Sequence, residues 1–302
     1  MNNDAEVKNG VAEAENTPAQ SGPNEPQNEV KNESAKEVKN EPRKQRKFPS
    51  WIDLFALAGV FVFSALLGSV VFALCGGLDA TTKPGWALPL YYTIQMLPPI
   101  IFVIWQRCKL GKGWGIHFGL GNLSAPLLMW GVVLLMASSV VIEPLLALFP
   151  AEDYNAVTDL VGKGAWSILS VVVCAPMFEE MLFRGLVFES CRERFGGGGA
   201  VLISALLFGL IHVVPVQVIN AFVVGIILGF IYLRTRSLAN VILLHAVNNA
   251  LAYLTMGLEV DTIKELIPQA WLYWTIYGVA AVIFILSMVK VFATLRANKE
   301  LE

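Results

Sequence analysis

The chain has 302 residues, 55% of them hydrophobic and 15% charged, with a formal net charge of −2. Its mean hydropathy is +0.59, whereas soluble domains are about 45–50% apolar and about 25% charged. These values exclude a soluble globular enzyme and give no basis for nucleic-acid binding. Four cysteines without paired spacing (Cys75, Cys108, Cys174, Cys191) exclude a disulfide-stapled secreted domain.

Residues 1–47 hold 9 acidic and 8 basic residues and no aromatic, Leu or Ile. The string EVKN recurs at 6–9, 29–32 and 37–40. Such a segment buries too little apolar surface to offset its ordering entropy, so a disordered polar tail is expected. It ends in the basic cluster Arg43, Lys44, Arg46 and Lys47, read as a topology anchor with a secondary affinity for anionic lipid. The first apolar run is too long for a signal h-region, so no cleavable signal peptide is expected.

A bilayer-crossing helix needs about 20 apolar residues. Eight segments qualify: 51–75, 86–105, 126–149, 164–189, 199–214, 216–233, 238–256 and 270–290. The fifth and sixth are short, joined at Pro215, and read as a hairpin buried among the others. With the N-terminus in the cytoplasm, the inside segments carry 14 Lys and Arg and the outside loops 3. The expected fold is therefore an all-α polytopic membrane bundle of about eight transmembrane helices behind a disordered tail. The expected location is a bacterial cytoplasmic membrane, with both termini cytoplasmic. The chain divides into the tail (1–47), three N-terminal spans (48–163), a core (164–256), and a last span with a short cytoplasmic tail (257–302).

Ionisable residues are costly in the middle of a span, by about 2.5–3.5 kcal/mol on insertion scales. Yet the fourth span reads CAPMFEEMLFRGLVF, the fifth ends FGLIHVV, and the seventh contains LLHAVNNA. Glu180 and Arg184 stand at i, i+4 and should pair on one face, leaving Glu179 free. Pro176 lacks an N–H, so in an α-helix the Val172 carbonyl loses its partner. His245 shares a face with both Asn248 and Asn249, and spacing does not choose between them. At about 1.5 Å per residue, Glu179, His212 and His245 all fall in the middle of the bilayer.

A glutamate and a histidine around one water form a general-base arrangement, and a second histidine with an amide can stabilise an oxyanion. One Glu and two His (Glu179, His212, His245) also match a three-ligand zinc site with an open position. Either way the chemistry is hydrolytic. Other features have blander readings. His117 is a solvated or interfacial loop residue, Glu143 can snorkel outward beside Pro144, Gly225 and Gly229 mark close helix packing, and Gly196–Gly199 is a flexible turn.

Taken together, Glu179-Glu180-x-x-x-Arg184, Phe208-x-x-x-His212 and His245-x-x-x-Asn249 resemble the motifs of the CPBP family of intramembrane proteases, also called the CAAX prenyl endopeptidase and abortive-infection family. The resemblance covers roughly 164–256 and selects Asn249 over Asn248. It implies that Glu179 and His212 activate a water and that His245 and Asn249 stabilise the oxyanion, while Glu180, Arg184 and Phe208 shape the site. It implies either a zinc-dependent or a metal-independent glutamate mechanism. The implied partners are membrane lipid and a membrane-associated protein or peptide substrate. The competing reading is a non-catalytic immunity or scaffold protein, or a proton-linked transporter using the same buried carboxylates.

Overall fold

The computed structural model describes residues 48–76, 84–149, 161–256 and 263–299. The expected disordered tail and its basic cluster lie outside the described residues. Among those described the fold is all-α, and each of the eight predicted spans is found as helix.

Helix α1 (Trp51–Leu74) opens with a capping box: Asp53 N–H donates to Ser50 Oγ at 3.2 Å, and Ser50 N–H donates to Asp53 Oδ2 at 2.8 Å. It packs on α2 (Ala87–Lys109), and α3 (Ala125–Leu146) follows after the 110–124 loop. The segment α4 (165–188) runs unbroken into α5 (Glu189–Leu210). Then come α6 (Pro215–Thr235), α7 (Leu238–Thr255), the short α8 (Ile263–Leu266) and α9 (Ala270–Lys299). Among the described residues six helices are long and apolar enough to cross a membrane: α1, α2, α3, α6, α7 and α9. The other two predicted spans, α4 and α5, carry the core's charges and glycines.

Helix α4 lies in the middle, touched by α2, α5, α6 and α7, while α3 pairs with α9 at the periphery. Leu182 to Phe188 are all buried. By contrast α1 and α9 leave much of their Leu, Ile, Val, Phe and Trp surface exposed, as lipid-facing helices must.

One expectation is met in the backbone and one needs correction. The Gly196–Gly199 run does open on a bend in the chain: two helical stretches meet at a kink at Gly196, where φ is +75° and ψ 178°. Gly197 permits that path, since a Cβ there would lie 2.9 Å from Leu233 of α6. Glu143 does not snorkel: it is buried, accepting from Tyr273 Oη at 2.9 Å and from the Ile263 backbone N–H at 3.0 Å. An unpaired carboxylate near a span's end would reach for water, but here α8 and α9 supply its donors.

Candidate functional site

The site is built on an irregularly wound helix. Ala165–Ile168 is α-helical, Leu169–Cys174 π-helical, Ala175–Glu180 α-helical and Met181–Phe188 π-helical. Runs of π winding are rare and concentrate at functional sites. In the first, Ala175 N–H donates to Ser170 O, the i+5 pattern. The next carbonyl, Val171, would then face residue 176, and Pro176 has no N–H to give. Asn249 Nδ2 on α7 donates to that carbonyl instead, at 3.0 Å. The orphaned carbonyl is thus Val171 rather than Val172, because π winding moves the gap by one residue.

Glu180 and Arg184, both fully buried, pair at 2.7 Å as their spacing predicts. The same Glu180 Oε1 also meets His245 Nδ1 at 2.8 Å. A carboxylate only accepts, so Nδ1 carries the proton. His245 therefore turns Nε2 toward the other carboxylate, 3.7 Å from Glu179 Oε2. Arg184 is held further by Gly225 O, 3.1 Å from Nη2, and its guanidinium lies 4.7 Å from the Phe208 ring centroid. The buried charge is thereby neutralised, which is what makes it tolerable inside a bundle, although Arg184 Nε and Glu180 Oε2 have no hydrogen-bond partner among the described residues.

Phe208 shapes the site as expected. Its ring stands edge-to-face with His212 at 5.1 Å and with His245 at 5.6 Å, spacing the two imidazoles. His212 lies just beyond the end of α5, with Nδ1 2.9 Å from Phe208 O. Since a carbonyl accepts, this proton also sits on Nδ1 and leaves Nε2 with a lone pair. Directly after it Val213 has φ +62°, and Val214 N–H closes a three-residue turn onto His212 O at 2.6 Å. A β-branched residue in this region is strained, and the turn it makes lies between the end of α5 at Leu210 and the start of α6 at Pro215.

The structure brings Glu179, Glu180, Arg184, Phe208 and His245 together, with His212 against Phe208. Among the described residues His212 makes no hydrogen bond to Glu179. Asn249 reaches Val171, leaving its second N–H for another acceptor. Two participants were not anticipated: the Gly225 carbonyl, and Glu180 as the partner of His245.

A metal would require Glu179, His212 and His245 to converge on one position. Among the described residues no group of three His, Cys, Asp or Glu is placed to hold an ion. As placed, these side chains do not fit a metal, and the chemistry below uses the side chains alone.

Comparison with known proteins agrees with the motif reading. Residues 161–251 match the family described as type II CAAX prenyl endopeptidase Rce1-like. Over 119 residues the chain is 23% identical to a Bacillus subtilis (strain 168) protein named membrane peptidase YdiL, an alignment covering 39% of this chain and 48% of that protein. The match thus spans about half the length of this curated relative. No solved structure matches.

Proposed function

We propose that this chain, whose residues 161–251 form a core of the CAAX prenyl endopeptidase (CPBP) type, is an intramembrane endopeptidase. Its substrate would be a peptide bond in a membrane-associated protein or peptide, presented from the cytoplasmic leaflet, with both termini of the enzyme in the cytoplasm. The observation that carries this reading is the division of labour between adjacent carboxylates. Glu180 is spent on Arg184 and on His245 Nδ1, whereas Glu179 faces His245 Nε2 across 3.7 Å.

A water lying beside that edge can sit about 2.8 Å from both atoms. Glu179 takes its proton as the oxygen attacks the scissile carbonyl, and the neutral Nε2 of His212 is a second acceptor for it. The oxyanion that develops is met by the second N–H of Asn249, a donor in every protonation state. His245 joins it as a donor only once Nε2 is protonated. The proton held by Glu179 then passes to the leaving amine, which closes the cycle. Burial in the bundle raises the worth of each of these contacts over the same contact in water.

The test compares protein termini, by terminal-peptide proteomics, in native-host membranes carrying wild type or Glu179→Gln at matched expression. Ends present in wild type and lost in the variant establish the peptidase and name its substrate. Identical ends, with the variant still rescuing a deletion phenotype, would leave an immunity or scaffold protein. Identical ends with altered pH-dependent flux would leave a transporter.

A further inference from the structure

A second polar feature lies apart from the Glu179–His245 centre, where the end of α2, the 110–124 loop, the start of α5 and the end of α6 meet. They border an open cavity of about 470 Å³ whose lining includes Arg107, Lys112, Trp114, Glu189, Tyr232 and Arg236. Its charges are unequal. Glu193 is shared by Lys112 and by Arg107 at 3.8 Å, and Glu189 by Arg236 and by Arg192 at 3.3 Å. Of these, Arg107, Lys112, Arg236 and Glu189 line the cavity, three cations to one carboxylate, while Arg192 and Glu193 pair with them from outside the lining.

Arg107 is the telling member. It is 5% exposed, donates from Nη1 to Ser190 Oγ at 3.0 Å, and leaves Nε without a hydrogen-bond partner among the described residues. The loop is shaped around it: Gly115 has φ +77°, and a Cβ there would lie 2.8 Å from Arg107 Nε. A buried cationic donor left unpaired is costly, and an anion in the cavity removes that cost.

The surroundings identify the source of the anion. The loop exposes Trp114 (73%), Phe118, Leu120 and Leu123. At the end of α2 the Lys109 ammonium lies 3.5 Å over the Trp105 ring. Aromatic and aliphatic side chains interleaved with cations are the composition of a membrane interface facing anionic headgroups. A site for a soluble anion needs no such apolar apron.

We propose that this cavity binds the phosphate group of an anionic phospholipid, with the 110–124 loop seated in the interface around it. The loop is stapled to the start of α7. Ala239 N–H donates to Phe118 O at 2.9 Å, Ser237 Oγ to Gly119 O at 2.9 Å, and Asn240 Nδ2 to Asn122 O at 2.8 Å. A bound lipid therefore fixes the end of the helix that carries His245 two turns further on. The proposal rests on membrane embedding and not on peptidase activity, and its readout is binding.

The full chain, purified in a neutral detergent, is titrated with dioleoylphosphatidylglycerol, dioleoylphosphatidylcholine or inorganic phosphate and followed by native mass spectrometry. The expected result is one tightly retained phosphatidylglycerol, with phosphatidylcholine at least tenfold weaker and millimolar phosphate unable to displace it. Each basic residue near an anionic surface contributes about fivefold. Lys112→Gln alone, on the exposed loop, should weaken retention by that factor, and Lys112→Gln with Arg236→Gln by tenfold or more. Unchanged retention in both variants, or equal retention of the two lipids, overturns the site. Displacement by inorganic phosphate at comparable concentration overturns the lipid as its source.

Discussion

Glu180→Gln separates architecture from chemistry at this site. The side chain is fully buried, and one oxygen serves both Arg184 at 2.7 Å and His245 at 2.8 Å. The amide keeps an acceptor of the same size but removes the only carboxylate paired with Arg184 among the described residues. Leaving a buried cation without its counter-charge costs about 3–5 kcal/mol. Weakening the bond to His245 from charge-assisted to neutral adds about 1 kcal/mol. For a body of this size each kcal/mol lowers the melting midpoint by roughly 2–4 °C. Glu180→Gln should therefore melt roughly 10 °C or more below wild type when tryptophan fluorescence is followed on heating in matched detergent. Glu179→Gln should melt close to wild type, because its only ion-pair partner among the described residues is a histidine 3.7 Å away. Arg184→Gln combined with Glu180→Gln removes both charges and should recover part of the loss, giving a coupling of about 2 kcal/mol or more. A Glu180→Gln midpoint equal to that of wild type would refute the ion pair as the element that holds the site together.

Two further outcomes follow from the packing and from the donor set. A Cβ on Gly225 would lie 3.1 Å from Ala205 and 3.2 Å from the Phe208 ring, whereas one on Gly229 meets nothing closer than Val201 at 3.5 Å. Gly225→Ala should cost about 1–3 kcal/mol of stability by overpacking and lower peptide cleavage by displacing the ring between the two histidines, while Gly229→Ala should stay within about 0.5 kcal/mol of wild type by the same melting assay. Prolonged dialysis of the purified protein against a strong chelator should leave cleavage of a reporter peptide within about twofold, as a Glu179-activated water requires. Loss of cleavage that zinc restores would transfer water activation to a metal.

The membrane class, the eight helical segments and the identity of the polar core were legible because each rests on local pattern. A charged group within an apolar run is conspicuous in one dimension, and the i, i+4 spacing of Glu180 and Arg184 fixes their pairing before any tertiary contact forms. The glycine run was legible too, since the chain leaves helical geometry at Gly196, where φ is +75°. Glu143 misled because its partners, Tyr273 and the Ile263 amide, lie 120 or more residues away in sequence.

The sequence by itself determined which residues are polar in an apolar setting, and hence that Glu179, Glu180, Arg184, His212, His245 and Asn249 need an explanation. Only the tertiary structure decided how they divide the work. Whether Glu180 serves Arg184 alone or His245 as well depends on where α7 crosses α4. Whether the amide of Asn249 meets Val171 depends on a π-wound turn ahead of Pro176. Helical periodicity gives directions around one axis, whereas a hydrogen bond between helices depends on two axes, their crossing and their register, and packing alone sets those.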